Sequence, residues 1–234
     1  MTDGAMTGAA FAADWLALRE VADARARDRG LAMRLAAHLA DGTSLRIVDL
    51  GAGAGNNLRA VAPLLPAGQR WTLVDHDPGL LAEAANDPPA GAVVETRAAD
   101  LAEPGLLRDL LAPGTDLVTC SALLDLAGAA WLDALAAEAA RAAAAVLAVL
   151  SYDGHETWEP AHPLDRAVLD AFHADQHRDK GLGPALGPEA HDHLARALAA
   201  AGFDVADAAS PWVLEPPRDA ALIAALADGI GRAA

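Results

Sequence analysis

The sequence predicts a doubly wound α/β domain, and three observations predict it. Short β-branched and aliphatic runs alternate with longer stretches whose apolar residues recur at helical spacing, the pattern of strand-helix-strand units. One such run, Ile47-Val48-Asp49-Leu50, passes directly into Gly51-Ala52-Gly53-Ala54-Gly55, and a brief helical pattern follows with Leu58, Val61, Leu64 and Leu65. Acidic residues then stand at or just beyond the ends of the next two runs, Asp75 and Asp100. Ligands of doubly wound sheets lie beyond the carboxyl ends of the strands, so these are the positions at which chemistry is expected.

The glycine turn carries the most information. Glycine takes positive φ without a Cβ penalty and lets another group come close to the backbone, so three alternating glycines after a strand suit a turn that holds a ligand. Counted from Gly51, a dinucleotide fingerprint needs Gly or Ala at the sixth position, and that residue is Asn56. A P-loop is excluded because no Gly-Lys-Ser/Thr follows. With Asp49 two places ahead of the first glycine, the pattern acidic-x-Gly-x-Gly-x-Gly resembles the first motif of the class I S-adenosylmethionine-dependent methyltransferases.

The resemblance covers residues 45 to about 205. It implies a Rossmann-like, mostly parallel seven-stranded sheet with helices on both faces, S-adenosylmethionine as methyl donor and S-adenosylhomocysteine as product. It implies that Asp49, Gly51, Ala52, Gly53, Gly55 and Asn57 surround the cofactor at the turn. Asp75 ends the second strand, where a carboxylate can accept hydrogen bonds from both ribose hydroxyls, with His76 beside it. Asp77 is instead placed to cap the next helix, with Pro78 in its first turn. In the resemblance Asp100 meets the adenine amino group and the backbone of Leu101 meets the ring; taken alone, Asp100 is equally a loop carboxylate or a cap.

Composition bounds the partners. The chain has 234 residues, enough for one sizeable α/β domain, and 53% hydrophobic content supplies a core, with aromatics at only 4%. A net charge of −16 repels polyanions, which argues against nucleic acid or an anionic membrane surface as partner. Residues 1–10 lack the basic and apolar pattern of a signal peptide, and the apolar run 142–152 is far shorter than the roughly 20 residues of a membrane span. Cys120 is alone and cannot form an internal disulfide, so the chain reads as cytoplasmic; a monomer or homodimer is expected.

In chain order, residues 11–40 read as one or two N-terminal cap helices with a break near Arg29-Gly30. Trp15, Arg19, Asp23 and Arg27 recur every fourth residue along one stripe. Arg19 has two readings, a salt-bridged surface residue or a basic group for the methionine carboxylate. The cofactor-binding core, 45–151, contains strands at 47–50, 71–74, 92–96, 116–121 and 146–151. Ser121 to Asp125, after the fourth strand, should border the reacting methyl group. Cys120 reads as a small buried core residue. Residues 152–188 interrupt the order after the fifth strand and read as a lid insertion with a helix at 163–177. Residues 189–234 supply a helix, a sixth strand from 202, a seventh at 212–214 and a closing helix at 220–230.

The sequence names the cofactor better than the acceptor. No Asp/Asn-Pro-Pro-Tyr or Pro-Cys signature is present. The polar and aromatic candidates are Tyr152, His155, Trp158, His162, His173 and His177 in the lid, with Asp125 across the cleft; individually each can be structural, and as a set they describe a pocket for a small, neutral or cationic acceptor. His173 and His177 have metal-compatible spacing, with His191 and His193 further on, but no Glu general base and no fixed third ligand accompany them, so no metal is expected. Two competing readings are an NAD(P)-dependent oxidoreductase, which Asn56 opposes, and a non-catalytic S-adenosylmethionine-binding module.

Overall fold

The computed structural model describes residues 13–234. The reading of residues 1–10 and the expected helix start at Phe11 lie outside the described residues. Five strands, β1 (Leu45–Leu50), β2 (Gln69–Asp75), β3 (Ala92–Ala98), β4 (Leu117–Ser121) and β5 (Ala145–Val149), pair in parallel in the order β3-β2-β1-β4-β5. The chain winds outward from β1 to β3 and then crosses to β4 on the other side of β1. The topological switch point therefore lies between the carboxyl ends of β1 and β4, directly at the glycine turn.

The expectation of seven strands is corrected to five among the described residues. Residues 203–214, where strands six and seven were expected, join no ladder. Pro211 removes a backbone donor, and the sequence around it has only the three-residue run Trp212-Val213-Leu214 to offer a sheet. Its best anchors are spent elsewhere: Phe203 and Val205 pack onto the helical core, and the Trp212 indole donates to Asp23 in the first helix at 3.0 Å. β5 is consequently a half-exposed edge strand.

The N-terminal region is two helices, α1 (Ala13–Ala26) and α2 (Arg29–His38). Asp28 makes the break by capping α2, its carboxylate accepting from the Leu31 N–H at 2.7 Å. α3 (Asn56–Val61) is short and tightens into a 3-10 turn at Ala62–Leu64, which contains Pro63. α4 (Pro78–Asn86) is capped by Asp77, whose carboxylate accepts from Gly79 and Leu80 at 2.7 and 3.2 Å. α5 (Leu106–Leu110), α6 (Ala129–Ala142) and α8 (Ala190–Ala200) cover one sheet face, with Leu107, Leu111, Leu132, Leu135 and Leu194 in its core. α2, α3 and α4 cover the other, around Leu39, Leu58, Trp71 and Leu81. Each fully buried leucine contributes about 1.5–3 kcal/mol relative to exposure.

Beyond the carboxyl edge of the sheet lie α1, α7 (Asp165–Gln176) and α9 (Ala220–Ala233). Asp219, just ahead of α9, accepts from Arg25 of α1 at 2.8 Å, and α9 packs on α7, so the C-terminal helix joins the N-terminal helix to the segment that follows β5. The end of that segment returns to the core through Gly128 N–H donating to Leu182 O at 3.0 Å and Leu186 N–H to Ala127 O at 2.9 Å. Among the described residues no helix is long and apolar enough to cross a membrane.

Candidate active site

Gly51, Gly53 and Gly55 have φ values of 64°, 51° and 84°, a sequence of left-handed conformations that L side chains rarely adopt. The turn is roofed. A Cβ on Gly53 would stand 3.0 Å from Leu16 Cδ1 of α1, and one on Gly51 would stand 3.2 Å from Leu123 Cδ1 beyond β4. Asn56, the residue that breaks the dinucleotide fingerprint, ties α1 to the turn by donating from Nδ2 to Leu16 O at 2.8 Å. Arg59 adds an ion pair to Glu20 at 2.7 Å.

Beneath the turn lies a fully buried polar network. Asn57 Nδ2 donates to Asp49 Oδ1 at 2.8 Å and to Thr119 Oγ1 at 3.0 Å, and Thr119 donates onward to Leu147 O at 2.9 Å. Asp49 Oδ2 and Asn57 Oδ1 have no hydrogen-bond partner among the described residues. Burial pushes the Asp49 carboxyl up to about 7, against the opposing effects of the Asn57 hydrogen bond and the Arg27 charge.

The two arginines of the α1 stripe have different fates. Arg19 grips the buried Asp23 with two bonds of 2.9 and 3.1 Å and lies 4.9 Å from the centre of the Trp212 ring, so its charge is already partnered. Arg27, eight residues on, has a single side-chain hydrogen bond among the described residues, a long one of 3.4 Å to Ser121 Oγ, and its Nε has none. Burial lowers its pKa, with Asp23 and Asp49 opposing. Arg27 was read only as part of the stripe; the signal available in the sequence was its place at the helix break, where a side chain turns from the helix face toward the strand ends.

Asp75 is buried, with Oδ2 accepting from the Gly53 N–H at 2.8 Å and Oδ1 from the Asp77 N–H at 3.0 Å. An ionised carboxylate has about four acceptor positions, so two remain. His76 is half-exposed, its Nδ1 3.2 Å from Asp75 Oδ1. The loop after β3 abuts this site, Ala99 N–H donating to Asp75 O at 3.0 Å. Asp100 there is exposed and turns its own loop by accepting from Ala102 N–H at 2.9 Å, and Leu101 O accepts from the Trp131 indole at 2.9 Å. Trp131 thus positions that loop from α6, a role with no local sequence signal.

On the far side of the switch point, Ala122 and Leu150 take positive φ, 52° and 58°, immediately after β4 and β5. Each such residue costs about 1–2 kcal/mol, and the bond from Ala122 N–H to Val149 O at 3.0 Å helps hold the pair. Asp125 and Tyr152 follow these two bends. Burial raises the Asp125 carboxyl, which the Tyr152 backbone N–H faces. The Tyr152 hydroxyl donates to Glu156 Oε1 at 2.8 Å and lies 3.0 Å from His173 Nε2, while the Trp158 indole donates to Glu156 Oε2 at 3.1 Å. Burial, then the Glu156 bond, pushes the Tyr152 pKa up. Tyr152, Trp158 and His173 are therefore brought together, with Asp125 facing the Tyr152 backbone, and Tyr152 and Trp158 are joined by Glu156, which sequence reasoning passed over although it stands between them.

The remaining histidines are not brought together. His155 is exposed beside Asp153; His162 Nδ1 accepts from Leu164 N–H at 3.2 Å; His177 approaches Ala185 O at 3.3 Å and Glu189 at 3.7 Å. His191 and His193 meet Asp207 at 3.4 Å and Asp133 at 2.8 Å. No group of three His, Cys, Asp or Glu among the described residues is arranged to hold a metal ion. Cys120 is buried in β4, and burial pushes its thiol well above the usual range. A cavity of about 320 Å3 opens beside edge strand β5, between Leu31, Leu35, Leu64 and Leu147, and touches Arg27 at one end; it lies beside the place where two more strands were expected, not over the glycine turn.

No protein-family model matches the sequence, and no curated protein matches it. Solved structures do match in shape. The cyclopropane synthase MmaA2 of Mycobacterium tuberculosis gives a TM-score of 0.51 at 11% identity over 76% of this chain, and the chain spans only 61% of that structure's length. Magnesium protoporphyrin IX methyltransferase of Synechocystis PCC 6803, solved with bound SAH, gives 0.48 at 20% identity over 79% of this chain and 78% of that one. Human N-acetylserotonin methyltransferase, in complex with SAM, gives 0.42 at 17% identity over 79% and 46%. The likeness to the first is one of fold alone.

Proposed function

We propose that the chain is an S-adenosylmethionine-dependent methyltransferase acting on a small molecule. The observation that carries the reading is the pair of unsatisfied groups flanking the positive-φ glycine turn: the buried carboxylate oxygen of Asp49 and the under-bonded guanidinium of Arg27. Buried polar groups without partners are rare in folded chains, and an acceptor on β1 with a donor just after α1 complement the ammonium and carboxylate of an amino-acid moiety. Asn57 Oδ1 adds a second free acceptor beside Asp49.

On this reading Asp49 and Asn57 take the ammonium, Arg27 the carboxylate, and Asp75 uses its two remaining acceptor positions for the ribose. Gly51 and Gly53 supply the left-handed turn that other residues would strain, and the loop at Asp100 and Leu101, held by Trp131, receives the adenine. When bound, S-adenosylmethionine supplies an electrophilic methyl carbon with a neutral thioether as leaving group. The chain's own work is then to align the acceptor and exclude water, which suits the layer formed by α1, α7 and α9. Residues 152–188 serve as the lid over the acceptor. The partner is a small molecule, and the single cysteine favours the cytoplasm.

Isothermal titration with S-adenosylhomocysteine tests the reading, alongside mass spectrometry of the protein as purified. Micromolar binding that is lost in Gly53→Ala is the expected result. Absence of binding, or binding of reduced nicotinamide nucleotide in its place, would overturn it.

A further inference from the structure

Resting on the methyltransferase reading, the charge balance around the second half of the cleft narrows the acceptor. Two donors converge on one carboxylate: Tyr152 O–H and Trp158 Nε1–H both donate to Glu156, at 2.8 and 3.1 Å. Because the Tyr152 proton is committed to Glu156, the 3.0 Å contact with His173 requires His173 Nε2–H to donate to the phenol oxygen. Both oxygens of Glu156 thus accept from neutral donors, and no cationic side chain among the described residues pairs with it. Asp125 is likewise without an ion-pair partner among them. Arg19 is the cation whose charge it feels, and that guanidinium is committed to Asp23 and Trp212.

Aromatic surface accompanies these carboxylates. The Tyr152 and Phe172 rings meet edge to face at 5.6 Å, and the Tyr152 and His173 rings at 5.8 Å, with Trp158 fixed through Glu156. Carboxylates without cations beside aromatic faces attract an organic cation and repel an anion. We propose that Asp125, Tyr152, Glu156 and Trp158 form an acceptor site for an amine that enters as its ammonium ion.

An ammonium nitrogen has no lone pair, so one proton must leave before it can react. Asp125 is the group placed to take it: the N–H bond breaks, its electron pair stays on nitrogen, and the proton passes to the carboxylate to give a neutral amine and a carboxylic acid. A carboxyl whose pKa burial has raised is a better proton acceptor than an ordinary one. Glu156, tied down by two donors, holds the charge of the incoming ammonium and keeps the aromatic side chains in register.

The test uses three probes of similar shape and different charge: 2-phenylethylamine, 2-phenylethanol and 3-phenylpropanoate. Each is titrated calorimetrically into the full chain, with and without saturating S-adenosylhomocysteine. The amine should bind at least about tenfold more tightly than the alcohol, and the propanoate least well. Glu156→Gln and Asp125→Asn should each weaken amine binding about tenfold while leaving S-adenosylhomocysteine affinity within about twofold. In turnover Glu156→Gln should chiefly raise KM for the amine, whereas Asp125→Asn should also lower kcat. Equal affinity for amine and alcohol in the unsubstituted protein overturns the inference without need of any variant. Amine preference with no S-adenosylhomocysteine binding would leave this site standing and sink the methyltransferase reading instead.

Discussion

Replacing Arg27 by Met should raise or preserve the stability of the free protein while it cripples cofactor binding, and the opposite signs make this a demanding test. The guanidinium has one hydrogen bond of 3.4 Å among the described residues, an unpartnered Nε and a pKa lowered by burial. Its nearest acidic neighbour on α1, Asp23, is committed to Arg19 and Trp212. Removing a desolvated, under-paired cation while keeping an apolar stem of similar length should therefore change stability by no more than about 1 kcal/mol, in the favourable direction. Binding should respond differently. Loss of the hydrogen bonds to a ligand carboxylate costs about 1.5–3 kcal/mol, or roughly 10- to 150-fold in Kd. Arg19→Met should do the reverse, because it bares the buried Asp23 and unstacks Trp212; a loss of about 1–3 kcal/mol in stability is expected, with affinity little changed. Urea denaturation reads the first quantity and calorimetry with S-adenosylhomocysteine the second. 5′-Methylthioadenosine, which lacks the amino-acid end, supplies the control: its affinity should be equal in Arg27→Met and the parent. If Arg27→Met bound S-adenosylhomocysteine normally, or lost both ligands equally, the assignment of Arg27 to the carboxylate would be wrong.

Other perturbations follow from the same geometry. Burial holds the Asp49 pKa at about 7 in the folded chain, above its unfolded value near 4, so the folded state binds the extra proton between those limits. Its stabilising effect is complete below about pH 4 and is lost as pH rises through 7, by at most roughly 4 kcal/mol; Asp49→Asn should flatten that part of the stability profile, and an unchanged profile would count against the buried site. Cofactor binding near pH 7 should release a proton from Asp49 to the ligand-bound network's advantage, seen as a dependence of the calorimetric enthalpy on buffer ionisation heat. Asp75→Ala frees two backbone N–H groups, at Gly53 and Asp77, and should cost about 2–3 kcal/mol of stability as well as cofactor affinity. Asp77→Ala should cost only its cap, about 1 kcal/mol, with titrations of S-adenosylhomocysteine unaltered. Trp131→Phe removes the 2.9 Å bond to Leu101 O and should weaken S-adenosylhomocysteine binding by about 0.5–1.5 kcal/mol; no change would mean that the loop after β3 needs no support from α6.

Features written in a few neighbouring residues were legible before any coordinates. The glycine turn, the cap at Asp77, the five strands of the parallel sheet and the burial of Cys120 all follow from local backbone preference and apolar periodicity, which act over one turn or one strand. By itself the sequence thus determined the five parallel strands and the glycine turn that follows the first of them. Two further strands were expected from short apolar runs near the C-terminus, and the structure spends those residues otherwise, because Trp212 gains more from Asp23 and Arg19 than from a ladder interrupted by Pro211. The difference between Arg19 and Arg27 showed in the sequence only as the place of Arg27 at the helix break; the partnering of Arg19 and Asp23 involves an indole that arrives from the far end of the chain. Glu156 gains its importance only when Tyr152 and Trp158 fold back upon it. Tertiary structure alone decided these points, since a charge or an orphaned hydrogen-bonding group is defined by what packs against it, and no spacing rule along the chain reports who that neighbour will be.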